Sequence, residues 1–194
     1  MTRDVFDFAC IGDSLTTGYV SRNWTAEVAA LLSLTTFRPV VCYDLGLPGM
    51  MSDWGLANIG SVIQLKPKAV TIAFGMNDSD PPLNMPLAQY AANMRAMILA
   101  IRANSPGTAI FLMTMNEIAV DSTNPVLAGR KANVAYYYDA LRTVAREQGV
   151  GLIDNHPQWR GKTLADLSDG IHPDLPALRQ ITIPNVTTAL KSLL

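Results

Sequence analysis

The stretch Val5-Phe6-Asp7-Phe8-Ala9-Cys10-Ile11-Gly12-Asp13-Ser14 decides how the chain is read. Its first seven residues are almost all apolar and do not alternate, as a strand with one wet face would. Strands buried on both faces of a parallel sheet have this composition. The run stops at Gly12, and polar residues follow at once. Working outward, four more short apolar runs occur at residues 39–45, 69–74, 109–114 and 150–153. The segments between them carry a helical period. Leu87, Tyr90, Ala91, Met94, Ile98 and Ile101 fall on one helix face, and Val134, Tyr137, Tyr138, Leu141, Val144 and Ala145 do the same within 126–148. Asn124 before Pro125 suits the start of that second helix, and Gly149 suits its stop. Shorter helices are expected at 23–34, 52–64 and 175–193, the last broken at Pro184. Strand and helix alternate throughout. That order predicts a three-layer α/β/α sandwich around a five-stranded parallel sheet, in one domain spanning residues 1–194.

Composition narrows the function classes. The 194 residues are 49% apolar and 16% charged, which is globular rather than disordered. Net charge is −1 and no cluster of Lys and Arg stands out, so nucleic acid and anionic membrane surfaces are poor partners. No run reaches the roughly 18 apolar residues of a membrane span. The first ten residues carry Asp4 and Asp7 and lack a long apolar core, so no signal peptide is expected and a cytoplasmic location is, unless a leader has been removed. The cysteines, Cys10 and Cys42, lie in two different predicted strands. They read as buried structural thiols, with a bridge between neighbouring strands as the alternative. Nothing in the sequence speaks to oligomeric state.

Open parallel sheets bind ligands at the carboxyl ends of their strands. Four loops there are rich in glycine and polar groups: residues 12–18, 46–49, 75–78 and 169–173. Ser14 is a nucleophile candidate, but a hydroxyl is weak until a base removes its proton. Histidine is the usual base, because its ordinary pKa is near neutrality. The chain has two, His156 and His172. Asp169 stands three residues before His172, close enough for its carboxylate to hold one ring nitrogen while the other faces the serine. The oxyanion formed on attack needs preorganised donors, each worth roughly 2.7–4 kcal/mol. The backbone N–H groups of Ser14 and Gly49 and the side-chain amide of Asn77 are the candidates. If the loop after Gly12 opens a helix, its N-terminal field adds to them.

Taken together, these blocks resemble the SGNH hydrolases of the GDSL esterase/lipase superfamily. Gly-Asp-Ser-Leu-Thr at 12–16 is similar to the family's nucleophile block. Gly49 lies where its oxyanion glycine is expected, Gly-Met-Asn-Asp at 75–78 resembles the block with the oxyanion asparagine, and Asp-Gly-Ile-His-Pro at 169–173 resembles the block with acid and base. The resemblance covers residues 5–173 in order. It implies a flavodoxin-like strand order 2-1-3-4-5, a serine esterase with Ser14, His172 and Asp169 as catalytic residues, a small-molecule ester substrate, and no cofactor or metal. It departs at Asp44, where the family often has an asparagine that supports the turn before the glycine.

The same residues admit other readings. Asp13 reads as a structural tie in the nucleophile loop, and Asp78 as a loop acid without a role. His156, near Asp154, reads as a surface-loop histidine rather than a rival base. Met50, Met51, Met76, Met115 and Val120 read as core filler, some of them candidates to line an acyl pocket. With no large insertion to form a lid, short-acyl esters or carbohydrate O-acetyl groups are expected ahead of lysophospholipids or thioesters. Two rival functions use the same residues. A metal-dependent phosphoesterase would hold its ion with Asp13, Asn77, Asp78, Asp169 and His172, and would be sensitive to EDTA. A non-catalytic module would bind a flavin phosphate or an acetylated glycan, and FMN titration would reveal the former.

Overall fold

The computed structural model describes residues 5–18 and 23–194; the first four residues of the leader reading lie outside it. The strands are β1 (Phe6–Gly12), β2 (Val40–Asp44), β3 (Ala69–Ala73), β4 (Ala109–Thr114) and β5 (Gly151–Asp154). They form one parallel sheet in the order β2-β1-β3-β4-β5, as the resemblance implied. The helices are α1 (Trp24–Thr36), α2 (Ser52–Asn58), α3 (Gly60–Leu65), α4 (Leu87–Asn104), α5 (Pro125–Gln148), α6 (His156–Trp159), α7 (Leu175–Gln180) and α8 (Thr182–Lys191).

The pleat sorts the side chains of β1 to two cores. Phe6, Phe8 and Cys10 join the core shared with α1, α7 and α8. Ala9 and Ile11 join the core shared with α3 and α4. Both faces are therefore dry, which is why the run at 5–11 does not alternate. Helix α5 supplies Leu141, Val144 and Ala145 to the second core and Leu127, Val134 and Tyr138 to the first. Cys10 and Cys42 are free thiols with sulfur atoms 3.9 Å apart on neighbouring strands.

The ends of α5 follow the sequence closely. Asn124 Oδ1 accepts from the Val126 N–H at 3.0 Å, Pro125 takes the first helical position, and Gly149 closes the helix at φ 59°. Two helices differ from expectation. The one expected at 52–64 divides into α2 and α3, where Gly60 lowers helix propensity at the junction. The one expected at 175–193 breaks at Ile181, not Pro184. Pro184 sits in the first turn of α8, where its missing N–H is harmless.

Gly12 is the contact point that places the loop carrying Ser14. A Cβ there would lie 2.4 Å from the Ala73 carbonyl oxygen of β3 and 2.1 Å from Thr16 Oγ1. Backbone cannot retreat from such a clash without parting β1 from β3. Gly12→Ala is therefore expected to destabilise the fold by about 3 kcal/mol or more in urea unfolding. A loss below about 1 kcal/mol would show that this approach is not tight.

Candidate active site

The loop after β1 is a compact turn. The Asp13 carbonyl accepts the N–H groups of Thr16 and Thr17 at 3.1 and 3.2 Å, and Asp13 Oδ1 accepts the Leu15 N–H at 2.8 Å. Trp24 Nε1 donates to the Leu15 carbonyl at 2.9 Å and holds the turn from the side of α1. Ser14 is left half-buried at the rim. Among the described residues this turn does not run into a helix, since α1 begins only at Trp24, with Asn23 as its cap. The helix field considered for the oxyanion is therefore not provided there.

The last block reaches Ser14 from the far end of the chain. His172 Nε2 lies 2.8 Å from Ser14 Oγ, and His172 Nδ1 lies 2.7 Å from Asp169 Oδ2. A carboxylate only accepts, so Nδ1 carries the proton and Nε2 presents its lone pair to the serine hydroxyl. Asp169 Oδ1 also accepts the backbone N–H groups of Ile171 and His172 at 3.0 and 2.7 Å, so the carboxylate is fixed before it meets the ring. The short turn needs Gly170, at φ +87°. A strap from the loop after β4 holds this turn down. Asn116 Nδ2 donates to the Ile171 carbonyl at 2.7 Å, and the Ala119 N–H donates to the Gly170 carbonyl at 2.9 Å.

The other two loops meet through Asn77. Its Nδ2 donates to the Met50 carbonyl at 3.0 Å and to Asp13 Oδ2 at 3.3 Å. Met50 follows Gly49, which turns at φ +80° with open space where a Cβ would be. Asp78, left without a role by the sequence, is an anchor. It accepts the Ser52 N–H at 2.9 Å and the Gly75 N–H at 3.0 Å, tying the loop after β3 to the start of α2. Asp44 does support its turn, accepting the Gly46 N–H at 3.0 Å.

Residues 10–175 match the GDSL-like lipase/acylhydrolase family. The chain belongs to that family. It is a GDSL-type carboxylic ester hydrolase. An isoamyl acetate-hydrolyzing esterase 1 homolog of Mus musculus is 30% identical over 184 residues, covering 83% of this chain and 72% of that protein. Two solved structures share the fold. A lipase/acylhydrolase from Enterococcus faecalis superposes with TM-score 0.83 at 20% identity, over 96% of each chain. The acetylxylan esterase Axe2 from Geobacillus stearothermophilus superposes with TM-score 0.76 at 21% identity, over 96% of this chain and 93% of that one.

In this GDSL-family chain the two histidines have opposite surroundings. His156, expected on a surface loop, is fully buried. Its Nδ1 is 3.1 Å from Arg142 Nη2 and its Nε2 is 2.7 Å from Glu117 Oε1, while Tyr138 packs edge-on to its ring at 5.0 Å. Arginine only donates, so Nδ1 is the occupied acceptor and Nε2 carries the proton. No lone pair is left for a substrate. Burial lowers the pKa of His156, Glu117 opposes this and Arg142 adds to it. No local pattern signals this burial, because Glu117 and Arg142 come from other elements. The methionines also divide: Met76 and Met115 are core, whereas Met50 and Met51 are only partly buried and Val120 is exposed.

The carboxylates divide likewise. For Asp169, burial pushes upward, but the backbone N–H groups of His172 and Ile171 and the imidazole outweigh it and hold the pKa below the ordinary value. Asp13 is pushed up to about 7 by burial, against the Leu15 N–H, with Asp78 adding repulsion. Among the described residues, no three His, Cys, Asp or Glu side chains gather as a metal site, and no helix is long and apolar enough to cross a membrane.

The raised value for Asp13 has a sign that can be measured. Between about pH 4 and 7 the unfolded chain has released this proton while the folded chain keeps it. The stability tied to neutral Asp13 is therefore complete below about pH 4 and is lost as pH rises through about 7. Asp13→Asn removes the titration. The melting temperature of the variant minus that of wild type should become more positive from pH 4.5 to pH 8 (about the span of the titration). A difference that stays flat would mean Asp13 ionises near its ordinary value.

Proposed function

We propose that this esterase works through an acyl-Ser14 intermediate, with His172 as general base and acid and Asp169 as the group that orients it. The relay from Ser14 Oγ to His172 Nε2 and from His172 Nδ1 to Asp169, at 2.8 and 2.7 Å, carries the reading. Ser14 Oγ attacks the ester carbonyl as His172 Nε2 takes its proton. The imidazolium is stabilised by Asp169, whose lowered pKa keeps it ionised. The oxyanion is received by the N–H groups of Ser14 and Gly49 and by Asn77 Nδ2. The tetrahedral intermediate collapses when His172 returns the proton to the leaving alcohol. Water, deprotonated by the same Nε2, then cleaves the acyl-serine and releases the acid.

We infer short-acyl substrates: acetyl esters of small alcohols or O-acetyl groups on carbohydrate. The relative that names isoamyl acetate supports the acyl size. So does the way the two candidate cover loops are fastened. Ser79 and Asp80 are held by Asn133 and Arg130 of α5, and the 116–124 loop is pinned to Gly170, Ile171 and Lys162. Neither is an insertion that could fold over a long chain.

Ser14→Ala should lower p-nitrophenyl acetate turnover by several orders of magnitude, and a fluorophosphonate probe should label Ser14 alone in wild type. Turnover that survives the substitution would end the covalent mechanism. Across p-nitrophenyl esters from acetate to palmitate, kcat/KM should be highest for the shortest acyl groups. A maximum at long chains would instead favour a lysophospholipase or thioesterase.

A further inference from the structure

Asn77 Nδ2 has two hydrogens, and both face protein acceptors. One meets Asp13 Oδ2 at 3.3 Å and the other the Met50 carbonyl at 3.0 Å. The mechanism asks this same amide to receive the oxyanion. An asparagine amide turns readily about its last torsion, so a donor of this kind serves a transition state only when its plane is held. The Asp13 carboxylate is suited to hold it. Its other oxygen is committed to the Leu15 N–H at 2.8 Å, and its own carbonyl closes the turn around Ser14. One side chain thus bridges the nucleophile turn and the amide.

The placement is costly for a residue that merely caps a turn. Asp13 is 2% exposed, and Asp78 is close enough to repel it. An asparagine or serine would satisfy the Leu15 N–H without burying an ionisable carboxyl group. The second oxygen is what a carboxylate adds, and that oxygen points at Asn77.

We propose that Asp13 is a positioning residue for the oxyanion, acting through the Asn77 amide and not on the substrate. This rests on the serine-hydrolase reading above. Asp13 keeps one amide hydrogen and fixes the amide plane; the hydrogen now on the Met50 carbonyl is then shared with the oxyanion. Asp13→Asn keeps the shape and an acceptor for the Leu15 N–H. It sets an NH₂ group against the NH₂ of Asn77, so the amide is pushed off its line.

The test is a double-mutant cycle on the full chain with p-nitrophenyl acetate. Asp13→Asn should lower kcat roughly ten- to a hundredfold, the scale on which a misplaced catalytic group loses rate. KM should stay within about threefold, because the lost interaction belongs to the transition state. In the Asn77→Ala background the same substitution should change kcat by less than about twofold. An unchanged kcat, or an equal loss in both backgrounds, overturns the proposal and leaves Asp13 as a loop tie. If Asp13→Asn does not fold by circular dichroism, Asp13→Ser carries the same cycle, since its hydroxyl can cap Leu15 but is too short for Asn77. Fluorophosphonate labelling of wild type separates the two failures. No label on Ser14 removes the whole serine reading, whereas a label with an additive cycle removes only this step.

Discussion

The hydrogen bond between Ser14 Oγ and His172 Nε2 joins residues 158 positions apart. It exists only because β1 is an interior strand and the 169–173 loop returns to the carboxyl rim of the sheet. Two clamps make the meeting reproducible. Gly12 lets β1 and β3 approach at the point where the Ser14 turn begins. The strap at Asn116 and Ala119 holds Gly170 and Ile171 from the other side. The meeting of Ser14, His172 and Asp169 thus depends on backbone packing as well as on the three side chains.

Electrostatics sorts the rim's carboxylates into different tasks. Asp169 is surrounded by donors, so it stays ionised and can stabilise a positive imidazole. Asp13 is buried with fewer donors and near Asp78, so its charge is disfavoured. Asp78 receives the Ser52 and Gly75 N–H groups and acts as a strut between loops. Sequence composition treats the three as one residue type; their partners make them a histidine contact, a bridge and an anchor.

The histidines teach the same lesson. Each follows an aspartate by two or three residues, and each has a carboxylate near a ring nitrogen in the fold. Only the opposite nitrogen separates them. On His172 it faces a hydroxyl that can give up a proton, and on His156 it faces a guanidinium that cannot accept one. Local spacing made the pairing of His172 with Asp169 legible. It misjudged the burial of His156, because Glu117, Tyr138 and Arg142 are brought to that ring by β4 and α5 packing against β5.

Strand and helix periods are written by covalent spacing, so the sequence alone determined the alternating architecture, the rim loops, the caps of α5, and the nearness of Asp169 to His172. Tertiary structure decided which partners each histidine ring meets, the union of Asp13 with Asn77 across 64 residues, and the burial of Asp13, Asp78 and His156. A hydrogen-bond partner or a degree of burial is set by elements arriving from elsewhere in the chain, and such an arrival leaves no periodic trace near the residue it surrounds.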